Sequence, residues 1–249
     1  MRRLLCACLC GVLGVAMGQA QAAPAAAPSS DQAARREAIQ QRLADWPQLD
    51  HYRAANAALA PVAAGEQRVV FYGASVAEYW GKNGSVFFPG KPYINRGIGG
   101  QISSQLLLRF RQDVIDLHPA AVVILEGTND ISNSKLTPEM TENNWESMVD
   151  LAKANGIRVV LTSITPVSDF PWHRGMHPAG IIRTTNAWLK AYCANHSLVY
   201  VDFYSVLVNS EGGMKADLTV DGVHATPKGY AVMAPLVQAG IDEALGKKE

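Results

Sequence analysis

The chain has 249 residues, and its 22 basic and 22 acidic side chains cancel without a long run of either sign. That balance excludes the basic footprint of a nucleic-acid binder. Four cysteines in this length exclude a disulfide-built scaffold, so stability must come from an ordinary apolar core, and one domain is the natural count.

At the amino terminus, Arg2 and Arg3 precede an apolar stretch from Leu4 to about Met17, and Ala20-Gln21-Ala22 offers a small-x-small cleavage site. Residues 1–22 therefore read as a secretory signal, and the expected destination is the periplasm or the medium. The apolar run is shorter than the ~20 residues of a membrane-spanning helix, so no stable membrane insertion is expected after cleavage. Cys6, Cys8 and Cys10 lie inside that run, too near the terminus for a lipidated cysteine, and cleavage would leave Cys193 as the sole thiol. Residues 23–60 combine an alanine- and proline-rich leader with one or two helices outside the main sheet, marked by Ile39, Leu43, Trp46 and Leu49. Residues 61–249 form the main domain.

Within it, Val69-Val70-Phe71-Tyr72 predicts a buried strand ending at Gly73. Pro92 to Ile94, Ala121 to Leu125, Val159 to Thr162 and Leu198 to Val201 have the same character. Leu106, Leu107, Phe110, Val114 and Leu117 make one helical apolar face, and Trp145, Met148, Val149 and Ala152 another. Thr226 as N-cap and Pro227 at the first helical position open a last helix carrying Tyr230, Met233, Val237, Ile241 and Leu245. Strands alternating with helices predict a parallel sheet covered on both faces, with ligands bound beyond the strands' carboxyl ends.

The residues with chemistry fall at those ends. Ser75 follows the first strand at a strand-to-helix turn, where backbone N–H groups favour developing negative charge; alone, it reads equally as a helix cap. Asn95-Arg96-Gly97-Ile98-Gly99-Gly100-Gln101 lets backbone come close to a substrate, and Gly127-Thr128-Asn129-Asp130 ends an apolar strand so that the Asn129 amide can face the same crevice. Asp221 stands three residues before His224, so one local turn can present a base together with the carboxylate that orients it. The chain order is Ser, Asp, His.

Together these blocks resemble the SGNH, or GDSL-type, hydrolases, over roughly Val69 to Ile241. The sequence is most similar to the branch of platelet-activating-factor acetylhydrolase-like and lysophospholipase-like esterases, through Tyr93-Ile94-Asn95-Arg96-Gly97-Ile98 and Gly127-Thr128-Asn129-Asp130. The resemblance implies a flavodoxin-like three-layer α/β/α sandwich with a parallel sheet of about five strands. It implies Ser75 as nucleophile and first oxyanion donor, Gly100 or else Gly99 as second donor, Asn129 as third, His224 as general base and Asp221 as its partner. Ala74 departs from the family's usual aspartate, so a looser or differently braced oxyanion loop is expected. The implied reaction needs no cofactor. It is a serine-esterase hydrolysis of short acyl esters, acetyl above all, on a small-molecule or carbohydrate alcohol. The alternatives are an O-acyltransferase passing the acyl group to a sugar hydroxyl and a non-catalytic glycan-binding module.

Around the crevice, Tyr79, Trp80 and Trp172 are candidate substrate contacts, set against packing roles for the two aromatics after Ser75. His173 and His177 have the spacing of a helical zinc pair, but Gly175 and Pro178 put them in a loop with no accompanying glutamate motif, so no metal is expected. His51, His118 and His196 show no partner pattern and read as surface or packing residues. The glycines at 97, 99 and 100 fail the dinucleotide fingerprint because Ile102 occupies the third position.

Overall fold

The computed structural model of the protein describes residues 29–133 and 135–246, so the signal segment and its three cysteines lie outside the described residues. The chain divides into two compact units, Met1–Leu43 and Ala44–Glu249. The described part of the first belongs to helix α1 (Ser30–Ala44), opened by a capping box in which Ser29 and Gln32 exchange side-chain and backbone hydrogen bonds.

The second unit is a five-stranded, all-parallel sheet between helices. Its strands are β1 (Val69–Gly73), β2 (Tyr93–Gly97), β3 (Ala121–Leu125), β4 (Arg158–Thr162) and β5 (Val199–Val201), in the spatial order β2-β1-β3-β4-β5. β2 runs three residues further than the sequence suggested, because it pairs with β1 residue for residue from Val69↔Tyr93 to Gly73↔Gly97. The helices are α2 (Arg53–Ala57), α3 (Ser75–Glu78), α4 (Ser103–Asp113), α5 (Thr128–Ser132), α6 (Pro138–Ala154), α7 (Ala179–Asn195), α8 (Tyr204–Leu207) and α9 (Pro227–Ala244).

Alternation along the strands makes the layers. Val70, Tyr72, Val122, Ile124 and Leu161 face α4, α6 and α7 through Leu106, Phe110, Trp145, Met148, Leu189 and Cys193. Val69, Phe71, Val123, Leu125 and Val160 face the opposite way, onto Tyr230, Met233, Val237 and Ile241 of α9. Every residue of β1 and β3 is buried, which is why these strands read as unbroken apolar runs rather than alternating ones. α9 is capped as expected, with the Thr226 hydroxyl accepting from the Gly229 N–H at 3.1 Å.

The strand order reverses beside β1, whose neighbours β2 and β3 are reached by crossovers in opposite directions, so the turn after β1 sits at a topological switch point. Gly73 ends β1 where a Cβ would lie 2.0 Å from the Leu125 carbonyl oxygen, and only glycine allows that approach. A Cβ at Gly97 would lie 2.2 Å from the backbone nitrogen of Glu78, so β2 must be bare there for α3 to pack on it.

Beneath this edge lies a fully buried Arg109. Its guanidinium donates to the Gly73 carbonyl (3.0 Å), the Arg96 carbonyl (2.8 Å), the Gln101 side chain (2.6 Å) and the Asp113 carboxylate (3.0 Å). It also lies 4.3 Å from the centre of the Tyr72 ring. Directly after β3, Glu126 is also buried, beside the carboxyl of Asp130. Burial first, and then the charge of Asp130, push its pKa well above the ordinary glutamate value.

Two consequences are measurable. Arg109→Met leaves Asp113 buried without its cation and should cost about 3–5 kcal/mol in urea unfolding; a loss under about 1 kcal/mol would deny Arg109 its structural role. For Glu126 the unfolded chain ionises near ~4.3 while the folded one holds its proton, so this residue subtracts stability as pH rises above that value. Glu126→Gln should therefore melt close to wild type near about pH 4 and increasingly above it toward about pH 8. A melting difference that does not change with pH would show that Glu126 does not carry the effect.

Candidate active site

Ser75 opens α3 immediately beyond Gly73-Ala74, which places its hydroxyl at the carboxyl edge of the sheet. From the other side of the crevice the turn before α9 brings His224. Ser75 Oγ and His224 Nε2 are 2.9 Å apart, and His224 Nδ1 is 2.7 Å from Asp221 Oδ2. A carboxylate can only accept, so Nδ1 carries the ring proton and Nε2 is left to accept from the serine hydroxyl. The three residues assembled from the sequence thus stand in one hydrogen-bonded chain.

The turn carrying Asp221 and His224 is braced from within. Asp221 Oδ1 accepts from the N–H groups of Val223 (3.0 Å) and His224 (2.8 Å). The Thr219 hydroxyl accepts from the Gly222 N–H (2.9 Å) and lies 3.0 Å from the His224 carbonyl, which also accepts from the Val220 N–H. Burial pushes the Asp221 carboxyl up, but the His224 N–H, the His224 ring and the Val223 N–H outweigh it and hold the pKa below the usual aspartate value. Asp221 therefore remains an anion facing the imidazole.

Gly100 and Asn129 line the same groove as Ser75 and His224. Asn129 lies in the first turn of α5 and donates one amide hydrogen to the Gln101 carbonyl at 2.8 Å, which fixes the plane of the amide and leaves its second hydrogen available. Of the two glycines the sequence left open, Gly99 has its N–H committed to Glu78 Oε2 at 2.6 Å. Gly100, at φ +76°, has no such bond among the described residues. The carboxylate that reaches this turn comes from Glu78, one helical turn beyond Ser75.

The groove encloses about 690 Å³. Trp172 is 51 % exposed, stacks on Phe170 at 5.3 Å and stands 6.3 Å from the His224 ring. Tyr79 also lines the groove, its ring 5.1 Å from His224. Trp80, expected as a substrate contact, is not one. It is 2 % exposed, packs among Phe71, Phe88, Phe203 and Tyr230, and donates its indole N–H to the Val86 carbonyl. α3 ends at Glu78, so the chain turns after Tyr79 and drives the next side chain into the core.

Several groove residues had not been singled out as such. Glu78 could have been found from its spacing, since i and i+3 share a helix face with Ser75. His51, read as surface or packing, lines the groove with Gln48 because the Asp45 carboxylate folds the intervening chain by accepting the Leu49 and Asp50 N–H groups. Ser132 and Asn133 follow Asn129 into the groove and carried no independent signal.

A second, smaller cavity of about 20 Å³ touches Ser75 from the core side and is lined by Val76, Leu125, Glu126, Thr128, Ile164 and Phe203 among others.

The pattern of the GDSL-like Lipase/Acylhydrolase family matches residues 62–232. The crystal structure of a GDSL-like lipase from Bacteroides thetaiotaomicron VPI-5482 is similar to this chain at 41% sequence identity and a TM-score of 0.76, covering 80% of this chain and 98% of that one. The uncharacterized lipoprotein YqeF of Bacillus subtilis (strain 168) is 24% identical over 178 residues, 59% of this chain and 72% of its own. At 17% identity and a TM-score of 0.56, Axe2, an acetylxylan esterase from Geobacillus stearothermophilus, shares the fold over 73% of this chain and 96% of that one. With strands, crevice and family pattern in agreement over the same span, the chain belongs to the GDSL-like lipase/acylhydrolase family and is an ester-hydrolysing enzyme.

Proposed function

We propose that this enzyme is a serine esterase that removes short acyl groups, acetyl above all, from a carbohydrate alcohol through an acyl-enzyme on Ser75. The observation that carries the reading is the continuous hydrogen-bonded chain Ser75–His224–Asp221 at the mouth of the groove. His224 Nε2 takes the hydroxyl proton as Ser75 Oγ attacks the ester carbonyl. The imidazolium that forms is stabilised by the Asp221 anion. Negative charge on the former carbonyl oxygen is met by the Ser75 N–H, at the first position of α3, by the Gly100 N–H and by the Asn129 amide. His224 then returns the proton to the leaving alcohol, and water repeats the sequence on the acyl-enzyme.

Size supports the short acyl group. The cavity on the core side of Ser75, about 20 Å³, has room for one water-sized or methyl-sized group. The groove on the open side is far larger and mixes aromatic faces, Tyr79 and Trp172, with hydrogen-bonding groups of Gln48, His51 and Asn133. That mixture suits a sugar, which offers an apolar face and a polar rim. The fold shared with an acetylxylan esterase agrees with this reading. Export agrees with the amino-terminal signal pattern and with a relative that is a lipoprotein; no helix among the described residues is long and apolar enough to cross a membrane.

Hydrolysis of p-nitrophenyl esters by the purified enzyme should peak at acetyl, fall steeply with acyl length and vanish in Ser75→Ala. A preference for long chains would refute the short acyl pocket, and activity surviving in Ser75→Ala would refute the nucleophile. Asn129→Ala should lower kcat about 100-fold while melting within a few degrees of wild type. An unchanged kcat would remove Asn129 from the oxyanion hole.

A further inference from the structure

The turn that presents Gly100 is pinned by a carboxylate from the nucleophile's own helix. Glu78 Oε2 accepts the Gly99 N–H at 2.6 Å, and its other oxygen accepts from Lys82 Nζ at 2.8 Å, so both oxygens are held and the carboxylate has one orientation. A Cβ on Gly99 would lie 2.7 Å from Glu78 Oε2 and 3.8 Å from Ser75 Cβ. The bare backbone at Gly99 is therefore what lets the carboxylate reach this peptide, and the peptide lies beside the nucleophile. The next residue, Gly100, has a left-handed φ of +76° and nothing within 4 Å of where a Cβ would be. A glycine in open space is the most conformationally free residue in a chain. Its N–H can be a preorganised donor only if its neighbours are fixed. Glu78 fixes it on the Gly99 side, and the Asn129 bond to the Gln101 carbonyl fixes the other.

We propose that Glu78 is a positioning residue of the oxyanion hole: by taking up the Gly99 N–H it locks the 98–101 turn with the Gly100 N–H directed at the reacting oxygen. The assignment rests on the esterase reading above. The negative charge of Glu78 is not what helps, because an anion near the developing oxyanion opposes it; the hydrogen-bond acceptor is. This separates two substitutions. Glu78→Ala removes both charge and acceptor, whereas Glu78→Gln removes the charge and keeps an acceptor oxygen.

The test is steady-state hydrolysis of p-nitrophenyl acetate by wild type and both variants, with thermal melting as the control for folding. Glu78→Ala should lower kcat about 30-fold, part of what losing a whole oxyanion donor costs, with KM within about twofold because substrate binding precedes charge development. Glu78→Gln should stay within about threefold of the wild-type kcat. Gly99→Ala, whose new Cβ displaces the carboxylate, should lower kcat as Glu78→Ala does, and decides the matter if Glu78→Ala does not fold. A wild-type kcat in Glu78→Ala or Gly99→Ala, an equal loss in Glu78→Gln, or a loss expressed in KM would each overturn the proposal. Fluorophosphonate labelling of wild type tells the two readings apart: an enzyme that neither labels at Ser75 nor turns over any ester defeats the esterase reading and this one with it, whereas an active wild type with indifferent variants defeats this one alone.

Discussion

The geometry of the crevice depends on the buried guanidinium of Arg109. Taking a cation out of water costs several kcal/mol, and the site offsets this with a full set of acceptors: a carboxylate, an amide oxygen, two carbonyls, and a ring face beneath. Those acceptors belong to separate pieces of chain. Gly73 ends the strand before Ser75, Arg96 lies in β2, and Gln101 follows Gly99 and Gly100 in their turn. A planar fork with fixed donor angles therefore sets the distance between the strand that leads to Ser75 and the turn that carries Gly100, which a flexible ammonium would not do. The Asp113 that balances the charge is itself held by the Asn56 amide at 2.7 Å, which extends the network to α2.

The opposite wall is built on other principles. Asp130 lies buried under α5 and accepts from the Ser103 N–H at 2.9 Å, from the Ser103 hydroxyl and from the Thr141 hydroxyl at 3.1 Å. The starts of α4 and α6 are thereby tied to the helix that carries Asn129. Rigidity around the proposed oxyanion hole comes from polar networks with their partners present, and rigidity of the sheet beneath it from apolar packing. Glu126 lies where the two meet, buried beside Asp130, and that burial favours its uncharged form.

Most of the sheet was legible in the sequence because its two central strands β1 and β3 are buried throughout and β4 and β5 are largely apolar. The Ser75, His224 and Asp221 cluster was legible because its chemistry needs particular residue types at particular chain ends. α7 was not anticipated, and the reason is local: Thr185 and Asn186 lie on its buried side, where Asn186 clasps the backbone of Ile164 through both amide atoms, so the apolar stripe is interrupted. Arg109 escaped for a similar reason, a charge within the buried arc of α4 half of whose acceptors are carbonyls of distant strands. That Tyr79 lines the groove while Trp80 packs in the core turns on where a short helix stops, and a shift of one residue there moves a side chain from groove to core.

Asp221 and His224 arrive as one closed piece. Within the seven residues from Thr219 to Ala225, the chain bridges back on itself, Asp221 is anchored to two N–H groups, and the imidazole is fixed to Asp221, so little inside this piece is free to vary. The adjustable quantity in the assembly is the gap between that piece and α3. A small rigid-body displacement of the segment leading into α9 would open or close a single 2.9 Å contact while leaving the pairing of acid and base intact. The start of α9 is held to α3 by a bond of its own, from the Tyr230 hydroxyl to the Val76 carbonyl at 2.9 Å, so the seating of the last helix bears on the distance from imidazole to hydroxyl.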